Sequence, residues 1–121
     1  AVSDSSGATA YELTRHAMRQ FPGARVDGVT VCPRVRSLEE ARLVASEAGR
    51  VGGVVAFTFA STGMSRYMRQ RCEAEGARYV DLYQPVLLAM EIYLEHPSIG
   101  VPGGYAGGLA ASRQSWETRP V

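Results

Sequence analysis

The chain has 121 residues and a mass of 13.0 kDa, enough for one compact domain and scarcely room for two. Apolar residues at 45% and charged residues at 21% match the soluble globular average and exclude disorder, and no apolar run approaches the ~18–20 residues of a membrane span. Thirteen basic against twelve acidic residues leave a net charge of +1, too balanced for a dedicated nucleic-acid binder.

Short β-type runs alternate with longer helical ones. Ala1-Val2-Ser3 reads as the end of a strand. Ala8 to Gln20 places Ala10, Leu13, Ala17 and Met18 at helical spacing and stops at Phe21-Pro22-Gly23. Val26 to Cys32 is β-branched and ends at Pro33, as a strand does. Ser37-Leu38-Glu39-Glu40 opens a helix to Gly49 with a capping box, in which Ser37 caps and Glu40 reaches back. Gly53 to Phe59 (GVVAFTF) is a nearly continuous apolar run, suited to a strand covered on both faces. A helix from about Gly63 to Glu75 spaces Met64, Met68 and Cys72 four apart and ends at the C-cap Gly76. A short strand at Arg78 to Asp81 and an apolar helix at Pro85 to His96 follow.

Strand–helix–strand repetition with short connections predicts an α/β fold: an open, mostly parallel sheet of about four strands with helices on both faces, Rossmann-like or flavodoxin-like, in three layers. Residues 1–100 are expected to form this domain. Residues 101–121, opening with the glycine-dominated Val101 to Gly108, read as a linker or tail.

Composition limits the chemistry. Every basic residue is Arg, so no mechanism that needs a lysine, whether a Schiff base or a P-loop phosphate contact, can be completed by this chain alone. Cys32 and Cys72 lie far apart, and neither shares metal-ligand spacing with His16 or His96. Both cysteines read as small apolar core residues, so no metal site is expected. The G-x-x-x-x-G-K-[ST], G-x-G-x-x-G, G-x-S-x-G and H-E-x-x-H patterns are all absent.

In an open parallel sheet, ligands bind beyond the carboxyl ends of the strands. The loops at those ends are Ser3 to Thr9, Pro33 to Ser37, Thr58 to Gly63 and Asp81 to Gln84. The first offers hydroxyls and a glycine just ahead of a helix, where free N–H groups and partial positive charge favour an anion. Ser5, Ser6, Gly7 and Thr9 are therefore candidate phosphate or anion ligands, with Asp4 opposing a phosphate by its charge. The same residues also suit plain capping, by Ser6 or by Thr9 with Glu12 completing a box, and the two readings are compatible. Arg66 and Arg69 share a helical face and are candidates for contact with a phosphate or an acidic partner, a solvated face being the simpler reading. Asp81, at a strand end, suits a helix cap better than a general base. No catalytic residue emerges.

Ser3-Asp4-Ser5-Ser6-Gly7-Ala8-Thr9-Ala10 resembles the opening "SDSTGETA" of the regulatory proteins of pyruvate, phosphate dikinase and phosphoenolpyruvate synthase. Gln20-Phe21-Pro22 resembles the "QF" that closes that family's first helix, and Ala56-Phe57-Thr58-Phe59 its "YTLV" strand. Val80-Asp81-Leu82, with Pro85 and Pro102-Gly103, resembles "VDLLGP…PG", so the likeness runs from about residue 2 to residue 104.

The resemblance implies a bifunctional enzyme with a dikinase as protein substrate. It phosphorylates a threonine using ADP and removes that phosphate with inorganic phosphate as acceptor. It also implies an N-terminal α/β domain, a later P-loop domain that holds the nucleotide, and a cytoplasmic or, in a plant, plastid-stromal location. The family's continuation after "PG" is not visible in Tyr105 to Val121, so this chain is expected to hold no cofactor and to be inactive alone, with ADP and phosphate as family substrates. A homodimer is a further expectation for the domain surface, and neither nucleic acid nor membrane is expected as a partner. Ser6, Gly7 and Thr9 also match the later part of the flavodoxin "T-x-T-G-x-T" loop, which implies an FMN electron-transfer protein as an alternative. A non-catalytic interaction module using Arg66 and Arg69 is another.

Overall fold

A computed structural model describes residues 1–26, 28–104 and 116–120. In chain order these form β1 (Val2–Ser3), α1 (Ala8–Met18), β2 (Val29–Val31), α2 (Leu38–Val51), β3 (Val54–Thr58), α3 (Thr62–Glu75), β4 (Arg78–Asp81), α4 (Gln84–Leu94), a 3-10 turn at Pro102–Gly104 and β5 (Glu117–Arg119). Strands β1, β3 and β4 make one parallel ladder with β3 in the centre, Val2 facing Phe57, Ser3 facing Thr58 and Phe57 facing Asp81.

β2 joins the outer side of β1 through a parallel bridge between Val2 and Cys32, with Cys32 N–H donating to Ala1 O (2.8 Å) and Ser3 N–H to Cys32 O (3.1 Å). The expected α/β architecture is present, with one addition. β5 pairs antiparallel with β2, inside a segment read from sequence as a linker or tail. Its Glu-Thr-Arg sequence lacks an apolar face because it lies on the exposed sheet edge, where charged residues are usual. The glycine-rich stretch 105–115 lies outside the described residues.

α1 connects β1 to a strand on one side, whereas α2 and α3 lead towards β3 and β4 on the other. Right-handed crossovers therefore put α1 on the face opposite α2 and α3. The core lies under α2 and α3: Val55, Phe57 and Phe59 meet Ala41, Val44, Ala45, Met68 and Cys72. The four-residue spacing of Met64, Met68 and Cys72 is borne out, Met68 and Cys72 being fully buried and Met64 packed against the core. By contrast α1 buries only Ala10 of its apolar stripe, and α4 buries none of its residues.

Local signals explain the ends. Ser37 Oγ accepts from Glu40 N–H (3.1 Å) as expected, but the Glu40 carboxylate accepts from the Ser37 hydroxyl (3.0 Å) rather than from the cap's backbone. Gly76 closes α3 at φ 69°, a left-handed conformation that glycine adopts without cost.

Cys32 and Cys72 are free thiols, and burial pushes each up to about 11. Ellman's reagent at pH 8 is expected to leave both unreacted in the folded chain and to titrate both after denaturation. Prompt labelling of the native chain would show this core to be open.

Candidate functional site

At the carboxyl end of the sheet, a cavity of about 160 Å³ is lined by Ser3 to Thr9, Thr58, Tyr83 and Gly103. All four predicted anion ligands, Ser5, Ser6, Gly7 and Thr9, line it. Gly7 is the N-cap of α1 at φ 84°, and a Cβ there would lie 2.8 Å from Val31 Cγ1, so both the backbone and the packing require glycine.

The structure corrects the capping alternative. With Gly7 as N-cap, Thr9 is already the second helical residue and cannot cap, and Glu12 instead accepts from Arg15 (2.9 Å). Ser6 Oγ accepts from Ala8 N–H at 3.3 Å, a long bond outside the N-cap position. The positive end of α1 is therefore left without a side-chain cap from its N-cap residue, beside the cavity.

Asp4 is buried, and its Oδ2 accepts from Ala60 N–H at 2.8 Å, which ties the β1–α1 loop to the β3–α3 loop. Burial raises its pKa, against the hydrogen bond from Ala60 and the nearby Arg36 charge, which lower it. Arg36 Nε donates to Asp4 O (2.9 Å), Arg34 N–H to Ser5 O (2.8 Å) and Val35 N–H to Ser3 O (2.8 Å). The Pro33–Ser37 segment thus holds the β1–α1 loop from outside. Sequence reasoning named this strand-end loop but gave its arginines no role.

Thr58, at the end of β3, opens the strand-end loop Thr58 to Gly63 that the sequence places at the sheet's carboxyl rim, without a role of its own there. It is 7% exposed and lines the cavity. Only the register that sets it beside Ser3 brings it to the β1–α1 loop.

Arg66 and Arg69 lie exposed on α3 and do not line the cavity. Asp81 is a cap as expected: Oδ1 accepts from Tyr83 N–H (3.1 Å) and Gln84 N–H (3.0 Å), and Oδ2 from the buried Ser65 hydroxyl (2.6 Å). His16 is exposed, 3.8 Å from Glu12. Among the described residues no group of three or more His, Cys, Asp or Glu is gathered to hold a metal, and no helix is long and apolar enough to cross a membrane.

A protein from Bdellovibrio bacteriovorus is 32% identical over 92 residues, covering 76% of this chain and 32% of its own length. One from Latilactobacillus sakei is 31% identical over 108 residues (89% of this chain, 37% of its own), and one from Sorangium cellulosum 30% identical over 101 residues (84% and 36%). All three are named as pyruvate, phosphate dikinase regulatory proteins. The chain spans about a third of the length of these curated relatives. A sequence model of the family described as kinase/pyrophosphorylase matches residues 1–114, with the hydroxyl-lined β1–α1 loop inside the match, and the chain belongs to that family.

Proposed function

We propose that this chain is the α/β domain of a regulator that reversibly phosphorylates a threonine of pyruvate, phosphate dikinase or phosphoenolpyruvate synthase. In this reading ADP is the phosphoryl donor, inorganic phosphate is the acceptor in the reverse direction, and the nucleotide is gripped by a P-loop that these 121 residues do not contain. The observation that supports it is the cavity: Ser5, Ser6, Gly7 and Thr9 converge at the positive end of α1, whose N-cap Gly7 brings no side-chain cap, in a chain of the kinase/pyrophosphorylase family. That arrangement suits handling of a phosphoryl group, not nucleotide binding, because no lysine and no glycine-rich phosphate cradle accompany it.

Contact with the dikinase, and homodimerisation, both need exposed apolar area. α4 supplies it through Val86, Leu88, Met90, Ile92, Tyr93 and Leu94, all of them exposed. The same family match disfavours an FMN carrier, whose isoalloxazine would need more than the present loops offer.

Calorimetry with ADP tests the division of labour. ADP is expected to give no saturable heat with this chain at concentrations up to about 1 mM, the range of a ligand lacking its phosphate cradle. Micromolar ADP binding would overturn the assignment of the nucleotide site to a separate P-loop.

A further inference from the structure

We propose that α4 of one chain seats in an apolar groove on the α1 side of a second chain's sheet, and that the exchange is reciprocal, so that two copies of this domain close on each other. This rests on reading α4 as a contact surface, and it names what that surface contacts.

The first observation is α4 itself. Between Pro85 and Leu94 it carries one charge, Glu91, and its apolar residues lie on every side. Ile92 is 70% exposed and Tyr93 79%. A helix that is apolar all round belongs in an interior. At 11 residues, none of them buried, α4 is also shorter than the ~12–15 residues below which an isolated helix is marginal in water. Its stability has to come from packing that the described residues of its own chain do not supply.

The second observation is an open groove on the sheet. In the parallel ladder Val54 faces Arg78 and Ala56 faces Val80. Side chains alternate along a strand, so Val54, Ala56 and Val80 share one face, while Val55, Phe57 and Tyr79 pack into the α2–α3 core on the other. α1 borders the first face with Leu13, Ala17 and Met18 but leaves Val54 60% and Val80 44% exposed. The result is a mostly apolar groove of about 770 Å³ beside α1, where the sheet's apolar face has still to be covered.

α4 does not fill the groove of its own chain, for none of its residues lines it. Its start is pinned at the carboxyl rim instead. Asp81 Oδ1 accepts from Tyr83 N–H and Gln84 N–H, and Gln84 Nε2 donates to Phe59 O (2.8 Å).

A second copy satisfies both surfaces at once. Each chain has one unpartnered helix and one open groove, and a two-fold axis pairs them twice with neither left over. The exposed apolar side chains of α4 and the groove together present on the order of 1,000 Å² per chain, above the ~800 Å² that each partner gives a standard stable interface. Pairing α4 with α4 would leave both grooves open.

The test is sedimentation equilibrium of the whole chain, followed by cross-linking. At about 100 µM the unmodified chain is expected to weigh twice its 13.0 kDa, with a dissociation constant of about 10 µM or tighter. Ile92→Asp and Val80→Asp, one on each surface, put a charge into an apolar seat. Each is expected to weaken the dimer at least about thirtyfold while keeping a cooperative urea transition. If Val80→Asp does not fold, the more exposed Val54→Asp replaces it.

Cross-linking then identifies the seat. Chains carrying Ile92→Cys and chains carrying Val80→Cys are mixed and treated with a short bismaleimide, the native Cys32 and Cys72 being buried. The mixture is expected to give cross-linked dimer and each chain alone little. A monomer at the same concentration, a dimer that survives both groove substitutions, or Ile92→Cys chains that cross-link as well alone as in the mixture would each overturn the proposal, the last by showing α4 paired with α4. A monomer would leave α4 free for a dikinase, so the regulator reading stands whichever way this test falls.

Discussion

Phe57→Ala is expected to lower the unfolding free energy by about 3–5 kcal/mol, the usual loss on truncating a fully buried phenylalanine. Phe57 is 0% exposed on the central strand, with ring centroids 5.5 Å from Phe59 and 6.4 Å from Tyr79. It faces Val2 on one neighbour and Asp81 on the other, so the cavity left behind would open at the junction of all three strands. A domain of this size has about 5–15 kcal/mol in total, so the variant sits near the edge of folding. Urea denaturation followed by circular dichroism measures the loss, with Phe57→Leu as a milder control expected to cost less than half as much. If the midpoint of Phe57→Ala matches that of the unmodified chain, the ring is not packed as described.

The same strand shows how much of the molecule was legible in its sequence. GVVAFTF declared a buried strand because an unbroken apolar run has few other uses, and the regular spacing of Met68 and Cys72 with Gly76 declared the helix after it. These are local signals, complete within a dozen residues. β5 was illegible because Glu117–Arg119 becomes a strand only by pairing with Val29–Val31, far away in the chain. For a similar reason Val26 to Cys32 shortened to Val29–Val31, the part that finds a ladder partner.

The candidate site divides along the same line. Ser5, Ser6, Gly7 and Thr9 are contiguous, and a hydroxyl-rich turn before a helix can be recognised in isolation. Thr58 and Tyr83 reach the same cavity from two other strand-end loops legible in the sequence, and Gly103 from the segment read as a linker, but no local signal shows that these segments converge on it. Asp4 looked purely repulsive in sequence because its partners, Ala60 N–H and the Arg36 charge, come from loops that only the folded sheet brings to it.

Gly49→Ala is expected to destabilise the domain by about 1–3 kcal/mol, although alanine is the better helix former by about 1 kcal/mol. The reason is geometric. A Cβ on Gly49 would stand 2.4 Å from Glu75 O and 3.1 Å from Glu75 Cβ, where α2 crosses the end of α3. The nearer atom is backbone, so relief requires moving one helix against the other rather than turning a side chain.

Gly63→Ala is the control. It lies in α3, where an added methyl meets only Ser61 Oγ at 3.7 Å, and it is expected to be neutral or to stabilise by up to ~1 kcal/mol. Opposite signs for the two substitutions, read as shifts in the urea midpoint, would establish the close helix crossing, and a stabilised Gly49→Ala would refute it. The consequence extends to the cavity. α3 begins just after Ala60, whose N–H holds Asp4, so a helix displaced at Glu75 pulls on the loop that fixes the carboxylate.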